Sequence, residues 1–315
     1  MSRPIIECVP NVSEGRRPAV LTSLAGAIRN AEGVRLIDVS PDVDHNRAVY
    51  TFAGEGDAVC DAAFRVAEVA LEQIDLRTHR GVHPRIGAVD VIPFVPLWNA
   101  TLEACAALAR RLAERLAAQL GLPVYLYGAA AHDPTRTLPT IRRGGFEGLR
   151  ADITLPARRP DHGPTRVHPT GGAVAVGARE ILIAFNVDLE TTDLAAARAI
   201  AATVRESSGG LPAVQAMGVA LASRGLVQVS MNLRDYRRTS PLTALRRVEA
   251  EAARLGIAVA AGELIGCAPR EALPTDPLAT LHLRALRPEQ ILDPEGLARD
   301  LYGTAGSDGP PAGGR

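Results

Sequence analysis

The sequence predicts an α/β (α+β) fold of two similar ferredoxin-like subdomains, each a sheet with helices on one face. Three observations lead there. Short β-branched runs alternate with Ala/Leu/Arg stretches whose apolar residues recur with a period of 3.6. In the first half these follow the order strand, helix, strand, strand, helix, strand, which is the split βαβ arrangement. The second half runs through the same order, and each half opens with a strand ending in Asn-Val, at Asn11-Val12 and Asn186-Val187, the mark of a duplication. A chain of 315 residues also fits two domains better than one, at roughly 150 residues per domain.

Taken in order, "PIIECVP" reads as a strand and "RRPAVLTSLAGAIRN" as a helix, with Pro18 in its first turn and Gly33 past its end. "VRLIDVS" and "RAVYTFAG" are strands, and "GDAVCDAAFRVAEVALEQI" is a helix for which Asp57 is the expected N-cap. "AVDVIPFVPL" is a strand, "TLEACAALARRLAERLAAQLG" a long amphipathic helix capped by Thr101 or Asn99, and "PVYLYGAA" an added strand. The second half gives the strand "REILIAFNVDL", the helix "TTDLAAARAIAATVRESSGG" and strands "AVQAMGVAL" and "GLVQVSMNL" about the turn "ASRG". The helix "SPLTALRRVEAEAARLG" and the strand "IAVAAGELIG" close it. Between the halves, Ala157 to Gly177 is rich in proline and glycine and has no period, so it reads as a linker or a functional loop. The expected division is a first subdomain over 1–178, a second over 179–303, and a disordered tail over 304–315.

Composition narrows the function. The chain is 47% hydrophobic with zero net charge, so it has the material for a core and lacks the basic footprint of a nucleic-acid binder. Every basic residue is arginine, which excludes a lysine Schiff base or a P-loop lysine and leaves planar carboxylate recognition. Cys8, Cys60, Cys105 and Cys267 form no CxxC pair. With no signal-peptide core in "MSRPIIECVPNVSEG" and no apolar run of spanning length, the expected setting is the reducing cytoplasm, away from membranes.

Three stretches carry chemistry. "RTHRGVHPRIGAVD", Arg77 to Asp90, holds His79 and His83 four apart. Gly81 and Pro84 argue against a helical metal pair, and no HExxH glutamate lies between them. His83 stands at a strand entry with its backbone restricted by Pro84, a setting suited to a general base; solvated loop histidine is the bland alternative. "DVSPDVDHNRAVYTF" crowds Asp38, Asp42, Asp44, His45, Asn46 and Arg47 into a strand connection. Such residues suit a turn for local reasons, and equally a cationic or carboxylate substrate. "VPNVSEG" offers either a helix cap at Asn11 or Ser13, or an anion site at a helix start.

The blocks "ECVPNVSEGR", "DHNRAVYTF", "HRGVHPRIGAVDVIPFVP", "GLPVYLYGAAA", "PDHGP", "ILIAFNVDL" and "VQVSMNL" resemble, in order and from about residue 5 to about residue 270, the glutamate formiminotransferases. These form the transferase portion of the bifunctional formiminotransferase-cyclodeaminases. The resemblance implies transfer of a formimino group from N-formimino-L-glutamate to N5 of tetrahydrofolate as co-substrate, with no metal, by a monofunctional homodimer. It implies that the two sheets face each other across a folate-holding channel, with helices outside. It makes His83 the catalytic histidine. It places folate on the loop Asp161, His162, Gly163, Pro164, Thr165, Arg166, Val167, His168, Pro169 and Thr170. There Gly163→Val is expected to weaken folate binding and spare stability.

The family pattern has an aspartate where this chain has Ser40, so Asp44, or else Asp42, is expected to supply the carboxylate beside the donor's amidinium. Asn11, Asn46, Arg47 and Arg85 are expected to bind substrate, the arginines as clamps for the donor's carboxylates. Competing readings are a homologue using formylglutamate or 5-formyltetrahydrofolate, a non-catalytic folate-binding protein, and a metal hydrolase built on His79 and His83.

Overall fold

A computed structural model describes residues 3–303; the tail expected over 304–315 lies outside the described residues. The first half is β1 (Ile5–Cys8), β2 (Asn11–Val12), α1 (Pro18–Arg29), β3 (Val34–Asp42), β4 (Arg47–Gly54), α2 (Gly56–Gln73), β5 (Val89–Trp98), α3 (Leu102–Leu120), β6 (Val124–Gly128), α4 (Leu138–Ile141), α5 (Gly145–Asp152) and β7 (Val174–Ala178). They build a seven-stranded sheet in which β3 is an edge and β4 pairs with both β1 and β2. The order continues through β5 and β7 to β6, the last three strands parallel. The second half is β8 (Ile183–Leu189), α6 (Leu194–Val204), β9 (Val214–Leu221), β10 (Leu226–Leu233), α7 (Pro241–Arg254) and β11 (Val259–Ile265), an antiparallel sheet in the order β11-β8-β10-β9. Both halves thus have the ferredoxin-like order, and the first adds two parallel strands at one edge.

Side-chain alternation decides which face is covered. In the first sheet Tyr50, Phe52, Ile92 and Phe94 pack under α1, α2 and α3 with Leu24, Ile28, Leu112 and Leu116. In the second, Phe185, Val187, Val229 and Met231 pack under α6 and α7 with Ile200 and Val248. The intervening residues of the second sheet are polar: Asn186, Asp188, Gln228, Ser230 and Glu263 share the helix-free face. Yet Asn186, Asp188 and Gln228 are buried. A polar face hidden from solvent has something polar against it.

Several local expectations change. Asp57 lies in the first turn of α2, and the N-cap position is Glu55, because Gly56 already has helical geometry. Thr101 does cap α3, accepting from Ala104 N at 3.1 Å. Neither Asn11 nor Ser13 caps α1; Glu14 takes the N–H groups of Arg16 and Arg17 at 2.8 and 2.9 Å. The stretch read as a linker ends in β7, a central strand between β5 and β6 whose small residues are buried on both faces. Beyond β11 come a short parallel pair, β12 (Ala268–Pro269) and β13 (Ile291–Leu292), with α8 (Pro277–Thr280) between them. Then α9 (Pro294–Tyr302) returns to the first sheet, where Leu297 meets Ile5 and Ala53.

The loop 161–170 is stitched at both ends. Asp161 accepts from Leu126 N and Arg136 Nη1 at 2.8 and 2.7 Å, while Leu76 N bonds Thr170 O and Ala88 N bonds Gly171 O. Gly163 has φ +85° and a Cβ there would lie 2.2 Å from Leu122 O. Gly163→Val is therefore expected to destabilise the fold by at least about 1–3 kcal/mol from backbone strain alone, contrary to the expectation from sequence. A urea midpoint unchanged from wild type would refute this.

Candidate active site

The two histidines of the Arg77–Asp90 stretch have opposite jobs, and their hydrogen bonds assign them. His79 is buried; its Nδ1 accepts from Arg85 Nε at 2.8 Å, so its Nε2 carries the proton and donates to Asn46 O at 2.8 Å. One nitrogen fastens this segment to the β3–β4 turn, and the other holds Arg85 within the segment. Gly81 completes the fit, since a Cβ there would lie 2.1 Å from His45 O.

His83 differs. Its Nε2 lies 3.0 Å from Arg47 Nη1. A guanidinium only donates, so Nε2 presents its lone pair and the neutral ring carries its proton on Nδ1. Burial, then the charges of Arg47 and Arg142, hold its pKa well below the ordinary histidine value. Burial also lowers His79 and, against the pull of Asp42 and Asp44, His45. The His45 ring lies 6.0 Å from that of His83, centroid to centroid.

A cationic pocket surrounds His83. Arg47 Nη1 also bonds Asn11 Oδ1 at 2.7 Å, and burial beside Arg142 pulls the Arg47 guanidinium down to about 10. Arg142 pairs with buried Asp90, whose Oδ1 accepts from Ile86 N at 2.7 Å; Arg142 Nε is buried without a hydrogen-bond partner among the described residues. Where the polar face of the second sheet meets the β3–β4 turn the charge reverses. Arg224 Nη atoms lie 3.7 Å from Asp42 Oδ2, 3.4 Å from Asp188 Oδ2 and 3.6 Å from Glu263 Oε1. Arg284 pairs with Asp188 as well, and Gln228 Nε2 bonds Asp188 at 2.7 Å and Glu263 at 3.2 Å. Gln228 Oε1 is buried with no hydrogen-bond partner among the described residues.

The residues singled out from sequence fall into two groups. Arg47 bonds both Asn11 and His83, and Asp42 lies opposite it across the β3–β4 pair. Asp44 is turned to the second half, its carboxylate taking Ser223 N at 2.9 Å and Ser223 Oγ at 2.5 Å. Asn46, at φ +46°, spends its side chain on Gly15 N and Arg80 O. Arg85 is fully engaged by His79 and Glu147. Of the loop, His168 and Thr170 bond Gly171, Gly172 and Leu76, and it is the following residues Gly171 and Ala173 that bond Ala88 and Ile86 beyond His83, while Asp161 to Gly163 lies against β6. Sequence reasoning missed Arg142, Asp188, Arg224 and Glu263 altogether. The alternating polar positions of β8, β10 and β11 were the one signal available. Among the described residues no group of three or more His, Cys, Asp or Glu side chains is arranged to hold a metal ion, and no helix is long and apolar enough to cross a membrane.

Residues 5–179 match the family model for the formiminotransferase domain, N-terminal subdomain, and residues 184–277 match that for the formiminotransferase domain. The chain is 41% identical over 270 residues to a glutamate formimidoyltransferase of Streptococcus pyogenes serotype M1, covering 85% of this chain and 90% of that one. It is 42% identical over 272 residues to a protein of the same name from Thermoplasma acidophilum, covering 85% and 89%. It is also 41% identical over 276 residues to the formimidoyltransferase-cyclodeaminase of Mus musculus, covering 85% of this chain and 51% of that longer protein.

Asp44 and Asp42 should separate in mutants. Asp44→Ala leaves the Ser223 N–H and hydroxyl without their charged acceptor and is expected to cost about 1.5–3 kcal/mol of stability. Asp42→Asn is expected to keep the fold and raise the Michaelis constant for an amidinium donor at least about tenfold, roughly 1.4 kcal/mol. Denaturant melts and initial rates on the two variants check this; a kinetic loss confined to Asp44→Ala would reverse the assignment.

Proposed function

The chain belongs to the formiminotransferase family, and from that premise we infer that it passes the formimino group of N-formimino-L-glutamate to N5 of tetrahydrofolate. The products are 5-formiminotetrahydrofolate and L-glutamate, a step of histidine degradation. The observation that supports this reading best is the neutral imidazole of His83, its lone pair 3.0 Å from Arg47, between a cationic pocket and an anionic one.

The donor has two carboxylates and one amidinium. Arg47 and Arg142 are two guanidiniums with one close carboxylate partner, Asp90, so a donor carboxylate relieves their repulsion. Asp42, Asp188 and Glu263 face the two cations Arg224 and Arg284, so the donor's amidinium finds negative charge on that side. A carboxylate that draws Arg47 toward itself also uncaps Nε2 of His83. Donor binding thereby frees the base.

N5 attacks the electrophilic amidinium carbon, and a tetrahedral centre forms. His83 takes the proton that N5 releases. The C–N bond to glutamate then breaks, and holding both substrates in one cleft supplies the orientation the transfer requires. Folate is placed along the cleft toward His168, Pro169 and Thr170, the part of the loop nearest the His83 segment. Asp44, Asn46 and Arg85 act as positioning residues, for their polar atoms are engaged within the protein. We place the enzyme in the cytoplasm, which its four buried unpaired cysteines favour, as the homodimer implied by its family resemblance.

Purified protein is expected to form the 5-formimino product from formiminoglutamate and tetrahydrofolate, and to do so poorly from formylglutamate; comparable rates would move the donor assignment. His83→Ala is expected to lower turnover by about 10²–10⁴, the range for a positioned base, with folate affinity retained. Because the folded pKa of His83 is depressed, the base stays neutral below the ordinary value. The acid limb of kcat/KM is accordingly expected below pH 6.5, where unperturbed histidine titrates; a limb above that value would contradict the assignment.

A further inference from the structure

His45 has no assigned role, yet it is held as carefully as any residue of the cleft. Its backbone N–H donates to Asp42 Oδ1 at 2.7 Å, and its carbonyl packs on Gly81 so closely that no side chain fits there. The residue before it is locked to Ser223, and the residue after it bonds Gly15 and Arg80. The result is a ring only 5% exposed, 6.0 Å from the His83 ring and tilted 32° to it. No hydrogen bond to a ring nitrogen of His45 is formed among the described residues. The charged and titratable groups around it are Asp42, Asp44, Arg47, Arg224 and His83.

Transfer of a formimino group moves two protons at one carbon. N5 must lose one, and the leaving glutamate nitrogen must gain one. The single base His83 would have to turn from the first nitrogen to the second, although Nε2 is the one ring nitrogen that presents a lone pair. Resting on the reading above, we propose that His45 is a second catalytic residue, which protonates the leaving glutamate nitrogen and receives in exchange the proton collected by His83.

The balance closes within the pair. The bond from N5 to the amidinium carbon forms, and Nε2 of His83 takes the N5 proton. Neutral His45 has a proton on one nitrogen and a lone pair on the other. Its free lone pair accepts the proton from His83 through one water bridging the 6.0 Å between the ring centroids. The opposite nitrogen gives its proton to the glutamyl nitrogen as the carbon–nitrogen bond breaks, the electron pair leaving with glutamate. Both rings end neutral, so no bulk proton is needed, and neutrality is the resting state that burial imposes on each.

The test uses the full-length enzyme with formiminoglutamate and tetrahydrofolate. His45→Ala is expected to lower kcat at least 30-fold, with tetrahydrofolate affinity within threefold of wild type, and added imidazole is expected to restore at least tenfold. His45→Gln, which keeps hydrogen-bonding groups but cannot relay a proton, is expected to be as slow; it also serves if the alanine variant does not fold. A kcat within threefold of wild type in His45→Gln overturns the proposal. Equal rescue of the alanine variant by pyrrole, which fills the space without a basic nitrogen, overturns it as well. Absence of transfer in wild type itself would instead overturn the donor and acceptor named above.

Discussion

A guanidinium that cannot give up its proton stands 3.0 Å from Nε2 of His83, and much of the architecture follows from that contact. Arg47 forces the imidazole to be neutral and fixes which nitrogen is free. Arg47 must itself be held, and Asn11 holds it from the neighbouring strand. Asn11 can do so because β1 and β2 are one strand broken at Val9-Pro10. The break re-registers the chain so that Asn11 lies opposite both Val49 and Val91. Two arginines in one pocket repel each other without relief, and Asp90 pairs with Arg142. The pocket is thus built for an anion, a property of its charges rather than of any one residue.

The second constraint is the seam between the halves. Alternate residues of the edge strand β3 and its turn point the same way, and each meets a different part of the second half. Asp38 pairs with Arg287, Ser40 accepts from Gly266 N at 3.2 Å, Asp42 faces Arg224, and Asp44 takes Ser223. One polar edge strand therefore joins the subdomains, and its exposed edge is covered in the process. Because the turn that carries His45 also carries Asp44, the geometry of the cleft and the docking of the halves are mechanically the same feature.

Much of this was legible. Regular strands such as Arg47–Gly54 and helices such as α3 follow from local period and caps, and the His-Pro block marked His83. What was not legible has a common cause. Strand β7 is a short run of Ala, Val and Gly inside a Pro/Gly-rich stretch, and only its burial between two parallel strands makes it a strand. Arg142 lies in a turn after a four-residue helix, and its importance comes from Asp90, which is 52 positions away. Arg224 and Glu263 matter through Asp42, a neighbour created by the docking of the two halves. Local pattern names the element on which a residue sits; it does not name the residue across the cleft. Nearness to Asn46-Arg47 favours Asp44 over Asp42 in the sequence, which does not show that Ser223, 179 positions further on, bonds the Asp44 carboxylate.

Ser40 shows how such a site can shift its charge without losing it. The hydroxyl donates to Asp38 Oδ2 at 2.6 Å and accepts from Gly266 N, so it acts as a crosslink at the point where the resemblance calls for a carboxylate. Asp38 is already matched by Arg287 and offers the cleft no free charge. A second carboxylate at position 40 would lie against Asp38 with a like charge, which is costly in a buried setting. Two residues on, Asp42 lies at 3.7 Å from Arg224, which it shares with Asp188 and Glu263, and opposite Arg47 across the β3–β4 pair. This carboxylate stands one alternation further along the same strand face, bonded to the backbone of His45, while position 40 binds the halves together.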